Sequence, residues 1–129
     1  MNLKFDPNAG SISGDLATVN WRDVLLWLLR RRQRFRVTGI SMVPLLRPDE
    51  EVLVDLNAYR HASPRLGDIV VAEHPHRPGF RLIKRIVSID GDHGYYFLEG
   101  DNRSESTDSR TFGSVSAAHI IGQVTSRFF

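Results

Sequence analysis

The stretch Arg81 to Val87, RLIKRIV, sets a lysine among residues with the look of a buried strand. In a strand, alternate side chains share a face, so Leu82 and Ile86 flank Lys84 while Arg85 points to the other side. An apolar face disfavours the charged amine and lowers its pKa. At the ordinary value, roughly one lysine in 2,500 is neutral at pH 7, a deficit of about 4.6 kcal/mol. Desolvation on a strand face is one way to remove that deficit and leave an amine able to accept a proton. The bland alternative is an edge-strand lysine that snorkels to water.

A general base needs a nucleophile within hydrogen-bond reach. The segment TGISMVPLL offers Ser41, two residues after Gly39 and three before Pro44. Glycine permits unusual backbone angles and proline fixes a turn, so the serine can present its hydroxyl and its backbone N–H together. The hydroxyl attacks, and the N–H helps to hold an oxyanion. Residues 100–113, GDNRSESTDSRTFG, are too polar for a strand and unusually dense for a plain turn. They suit a fixed hydrogen-bond network with Asp108 and Arg110 as a local ion pair, from which Ser106 or Ser109 could hold the lysine amine. Read alone, the segment also fits a solvated loop; its two arginines and its spacing do not suit a calcium loop.

The elements that must position these groups are mostly strands. Short β-type runs appear at FRVTG, EVLVDL, DIVVAE, RLIKRIVSI, YYFLEG and IIGQVTSRFF, separated by turn clusters such as ASPRLGD, HPHRPG and DGDHG. That punctuation argues for a compact, mainly β structure rather than βαβ units. Upstream, Trp21, Val24, Leu25 and Leu28 fall on one helical face, Asn20 is placed to cap and Arg30 to Arg32 sit at the negative end. An amphipathic helix is expected over residues 21–34, with packing on the β domain, contact with a membrane surface or a grip on a precursor as its three uses. The expected organisation is an arm and helix over residues 1–34 and a β domain over 35–129.

GISMVP, then IKRIV, then GDNRSESTDSRTFG closely resemble the nucleophile, lysine and GDN-x-x-x-S-x-DSR boxes of type I signal peptidases, in the S24/S26 group of Ser–Lys proteases. Three boxes in order across residues 37–124 are specific where any one is weak. The resemblance implies a signal peptidase/LexA-like compact β fold with one N-terminal helix, and a peptide substrate bound as an added strand. It implies Ser41 as nucleophile, Lys84 as general base and Ser106 as the residue orienting the lysine. The backbone at Ser41 and Gly39 would form the oxyanion hole. Met42, Arg85, Asp101, Asn102, Asp108, Ser109 and Arg110 would form the scaffold. Some members carry a serine hydroxyl where this chain has Gly39, so the hole would rest on backbone N–H groups. A narrower resemblance, over residues 35–129, is to the nickel-type superoxide dismutase maturation proteases of cyanobacteria and related bacteria. It implies removal of the leader of a nickel superoxide dismutase precursor.

Composition sets further limits. The chain has 129 residues, no cysteine, 25% charged residues and 41% in the hydrophobic set, which suits one ordinary domain without disulfides or thiolate chemistry. No secretory signal is evident, and the longest apolar run, Val24 to Leu29, is far short of the roughly 20 residues of a membrane span. These features give the expectation of a cytoplasmic enzyme with no cofactor and no metal. The net charge of +2 is uneven: the arm and helix are basic and the remainder slightly acidic. A non-catalytic nucleic-acid-binding domain is the reading from another class, but the aromatic–basic interleaving of such binders is missing. A self-cleaving LexA/UmuD-like protein is the alternative within the Ser–Lys group. His74 and His76 resemble a metal pair only superficially, and no histidine falls in the three boxes, which disfavours a Ser–His–Asp triad.

Overall fold

The apolar runs become seven strands in the computed structural model, which describes residues 18, 20–28 and 32–128. After helix α1 (Trp21–Leu28) come β1 (Gln33–Arg36), β2 (Glu51–Asp55), β3 (Ile69–Glu73), β4 (Arg81–Asp90) and β5 (Tyr95–Glu99), then α2 (Ser109–Phe112), β6 (Val115–Ser116) and β7 (Ile120–Arg127). The strands form one antiparallel sheet in the order β1-β2-β7-β3-β4-β5-β6. The expectation of a mainly β, signal peptidase-like fold holds.

The sheet curls so that apolar side chains pack on both of its faces. Ile69 and Val71 of β3 join Val52, Val54, Val124, Met42 and Leu46 in one core, while Val70 and Ala72 join Ile86, Leu98, Tyr96 and Val115 in another. Burial on both faces explains why β3 reads as an unbroken apolar run instead of an alternating one. Each fully buried Val, Leu or Ile contributes about 1.5–3 kcal/mol, so the centre of the sheet is its firmest part. The curl brings β1 and the start of β4 together although three strands lie between them in the sheet. Phe35 and Ile83 pack on the same core, and the Arg81 guanidinium lies 5.6 Å from the centre of the Phe35 ring.

One expectation upstream needs correction. The helix does not run over residues 21–34: it is observed at Trp21–Leu28, and Gln33–Arg36 is a strand paired with β2. Pairing decides the matter, because Arg34 and Arg36 both reach Glu51 across that ladder at 2.6 and 3.2 Å. On the apolar helix face the described side chains differ, Val24 being half-buried while Trp21 and Leu25 are exposed. Trp21 is 85% exposed and Leu25 57%. Arg30 and Arg31 and the arm, apart from Thr18, lie outside the described residues; Thr18 bridges to Arg127 of β7.

Candidate active site

Lys84 is 3% exposed. It pairs with Val70 of β3 and shares a face with Ile86, while Arg85 next to it points to the opposite side. Arg85 is held there by Asp101, with Nε to Oδ1 at 2.9 Å and Nη2 to Oδ2 at 3.0 Å, and donates to the Gly67 carbonyl at 3.1 Å. Burial lowers the Lys84 pKa. The Asp108 carboxylate opposes that shift and Arg110 adds to it.

Lys84 Nζ donates to Ser106 Oγ at 3.1 Å, and Ser106 Oγ donates to Asp108 Oδ2 at 2.6 Å. Asp108 is fully buried and caps α2. Burial alone would push its carboxyl upward. Hydrogen bonds from Arg110, Ser106 and the Gly100 N–H overcome that effect and hold it well below the usual carboxylate range. Arg110 supplies Nε to Oδ1 at 2.9 Å and Nη2 to Oδ2 at 3.0 Å, then donates to the Arg103 carbonyl at 2.7 Å. Ser109, the other serine considered for the lysine, faces elsewhere: its hydroxyl accepts the buried Leu98 N–H at 2.8 Å.

Ser41 stands in a turned segment after β1. Gly39, at φ 76°, supplies a left-handed backbone that other residues adopt with strain, and the Val43–Pro44 bond is cis. Met42 and Leu46 are buried in the core and root the segment. The GDN end of the polar segment holds it from the other side. Asn102 N–H donates to the Ser41 carbonyl at 2.8 Å, and Asn102 Nδ2 donates to the Ile40 carbonyl at 3.1 Å. The polar segment thus touches both partners, Lys84 through Ser106 and Ser41 through Asn102. Among the described residues the hydroxyl and N–H of Ser41 have no hydrogen-bond partner, and Ser41 makes no direct hydrogen bond to Lys84. Gly39 lies in an exposed turn with nothing within 4 Å of its Cβ position.

Gly100 was not singled out from the sequence, yet it is where the two halves of the site meet. A Cβ there would collide with the Ser106 side chain and lie 2.6 Å from the Ser41 carbonyl oxygen. The signal was legible as a glycine directly after a strand and before the Asp–Asn pair, where backbones approach closely. The same divergence frees part of β4. β5 pairs with β4 only from Arg85 onward, since the chain leaves at Gly100 to reach Ser41. Among the described residues, Arg81 to Lys84 therefore have a strand partner on the β3 side alone.

The histidines lie elsewhere. His93 pairs with Asp90 at 3.0 Å in the exposed β4–β5 turn, and His74 packs on Phe112 with ring centres 4.6 Å apart. No group of three or more metal-binding side chains occurs among the described residues.

A sequence profile of the family described as "Signal peptidase, peptidase S26" matches residues 24–93 and 92–129. The chain belongs to the signal peptidase, peptidase S26 family. The enzyme class expected from the sequence, a serine peptidase, is the class of this family. Over 109 residues this S26 chain is 36% identical to mitochondrial inner membrane protease subunit 1 of Xenopus tropicalis, covering 70% of the chain and 65% of that protein. It is 34% identical over 110 residues to mitochondrial inner membrane protease subunit 2 of Danio rerio, covering 70% and 60%. It is 25% identical over 131 residues to a probable signal peptidase I-1 of Synechocystis, covering 69% and 67%. The chain thus spans a little under two thirds of the mitochondrial relatives it matches. These names correct the expectation of a cytoplasmic location, since the relatives are proteases of a membrane. The absence of an apolar span misled that expectation; among the described residues no helix is long and apolar enough to cross a membrane, which does not decide where a protein works.

Proposed function

We propose that this S26 chain is a serine endopeptidase that removes leader segments from protein precursors in a membrane-associated setting, with Ser41 as nucleophile and Lys84 as general base. The observation that carries the reading is the buried Lys84 amine, hydrogen-bonded to Ser106 and linked by one continuous polar segment to Ser41. Neutral Lys84 takes the proton of Ser41 Oγ as that oxygen attacks the scissile carbonyl. The Ser41 N–H faces the developing oxyanion. Lys84 then gives its proton to the leaving amine, and an acyl-enzyme remains. Water, deprotonated by the same lysine, attacks the ester and restores Ser41 with release of the carboxylate product. The unpartnered Ser41 hydroxyl closes on the lysine when peptide binds; catalytic hydrogen bonds are often long before substrate arrives. The unpaired stretch of β4 supports the added-strand mode, because a peptide laid there gains backbone hydrogen bonds and ends beside Lys84.

The narrower substrate, a nickel superoxide dismutase precursor, rests on the resemblance of residues 35–129 to its maturation proteases, while the names of the relatives point to precursors at the mitochondrial inner membrane. The organisation we propose keeps the peptidase domain expected over residues 35–129, extended to Gln33 where β1 begins, and the arm with α1 as an appendage to it. The test is incubation of the purified chain, in detergent and in its absence, with candidate precursors, including that of nickel superoxide dismutase, and sequencing of new N-termini. A leader cleaved by the chain and left intact by Ser41→Ala supports the reading. Cleavage retained by Ser41→Ala ends it.

A further inference from the structure

Arg81 opens β4 on the face of Ile83 and stacks on Phe35 of β1 at 5.6 Å. Because β1 and β4 are not neighbours in the sheet, this contact spans the gap between the outer edge of β1 and the unpaired stretch of β4. Three other strand arginines hold carboxylates: Arg34 and Arg36 hold Glu51, and Arg85 holds Asp101, while Arg127 of β7 holds none among the described residues. Arg81 holds none among the described residues. Its cross-strand neighbour Glu73 accepts the Gly79 N–H at 3.2 Å instead. An arginine is thus held by an aromatic face at the mouth of a gap, with its hydrogen-bonding fork uncommitted.

We propose that Arg81 is a specificity-determining residue that pairs with a carboxylate side chain of the bound peptide. This rests on the peptidase reading above. The fork of a guanidinium matches a carboxylate with two parallel hydrogen bonds. An exposed ion pair contributes little. Here the added strand would cover the gap and exclude water, which strengthens the attraction. Arg81 is three residues from Lys84, about 10 Å along a strand at roughly 3.3 Å per residue, so the acidic residue lies about three positions from the scissile bond.

The experiment uses synthetic peptides with randomised central positions, cleavage being read by mass spectrometry. Matched peptides carrying Glu, Gln or Lys at each position around the preferred cut are then compared. The wild-type chain should favour Glu over Gln about tenfold in kcat/KM at one position about three residues from the cut, the scale of one charge-assisted hydrogen bond. Arg81→Ala should remove that preference, so that the Glu and Gln peptides are cleaved with similar kcat/KM. Arg81→Lys should restore part of it, and Arg81→Glu should favour Lys. Cleavage without an acidic preference, or a preference that survives Arg81→Ala, overturns this inference alone. No Ser41-dependent cleavage of any peptide or precursor overturns it together with the peptidase reading.

Discussion

Ser106 Oγ lies 3.1 Å from Lys84 Nζ, and the direction of that hydrogen bond is fixed from the far side. Asp108, held ionised by Arg110, can only accept, so the single Ser106 proton points to it across 2.6 Å. Ser106 therefore meets the lysine as an acceptor, and Lys84 donates. A neutral amine that donates one N–H to Ser106 has its lone pair directed away from that hydroxyl. The buried carboxylate thus orients the Lys84 amine through one intervening serine.

Ser106→Ala removes the oriented acceptor and leaves Lys84 in place. The expected result is a fall of about 10²-fold in kcat with KM little changed, because an aligned base contributes on that scale and, in the proposed reading, Ser106 acts through Lys84. Ser41→Ala and Lys84→Ala should each lose at least about 10³-fold, and the double variant little more, since nucleophile and base act as a unit. Steady-state kinetics on one cleaved precursor measures all four. Additive losses in the double variant would contradict a shared step.

The pH profile follows from the lowered Lys84 pKa. The base must be neutral, so kcat/KM should rise with pH and reach half its maximum below the ordinary lysine value. Asp108 raises the Lys84 pKa and Arg110 lowers it. Asp108→Asn removes the first influence and keeps the shape, so the acid limb should move to lower pH even as the rate drops from lost orientation. A limb that moves to higher pH would show that the carboxylate acts on the lysine in some other way.

Burying an amine opposes folding, which gives a stability prediction of definite sign. The folded pKa of Lys84 lies below its unfolded value, so between the two the unfolded chain holds the extra proton and stability rises with pH. Below the folded pKa the penalty is fully present. Lys84→Met fills similar volume without the charge, and should raise Tm while abolishing cleavage, with the gain largest below the folded pKa of Lys84 and shrinking as pH rises toward the ordinary lysine value. Thermal melts at several pH values test this. A lower Tm for the methionine variant at neutral pH would mean that the bond to Ser106 outweighs the desolvation.

What the sequence disclosed and withheld follows from the range of the forces involved. The burial of Lys84 and the turn of Arg85 to the opposite face were readable because strand alternation is local. The choice of Ser106 over Ser109 was legible only through the family resemblance, since physically it depends on how α2 starts at Asp108 and hands Ser109 to the Leu98 N–H. The end of α1 was misjudged because Gln33 and Arg34 carry no strong preference of their own; pairing with β2 and the ion pair from Arg34 to Glu51 make them the start of β1. β6, two residues long, lies below what periodicity can signal. The exposure of Trp21 and Leu25 is a tertiary fact, as a helical stripe does not reveal what covers it.

The last prediction concerns Gly100. Its backbone angle is not the constraint; space is. A methyl group there meets both the Ser106 side chain and the Ser41 carbonyl, the latter at 2.6 Å. The serine can rotate away, but the carbonyl is backbone and is itself held by the Asn102 N–H at 2.8 Å. Gly100→Ala should therefore force the Ser41 loop and the polar segment apart, lowering stability by about 1–3 kcal/mol and losing activity by more than that destabilisation explains. The double variant Gly100→Ala with Ser106→Gly separates the two contacts. It relieves the collision with the side chain and leaves the one with the Ser41 carbonyl, so denaturant melts should show most of the lost stability still missing. Recovery to the Ser106→Gly level would place the crowding at Ser106 alone and remove the link between Gly100 and the position of Ser41.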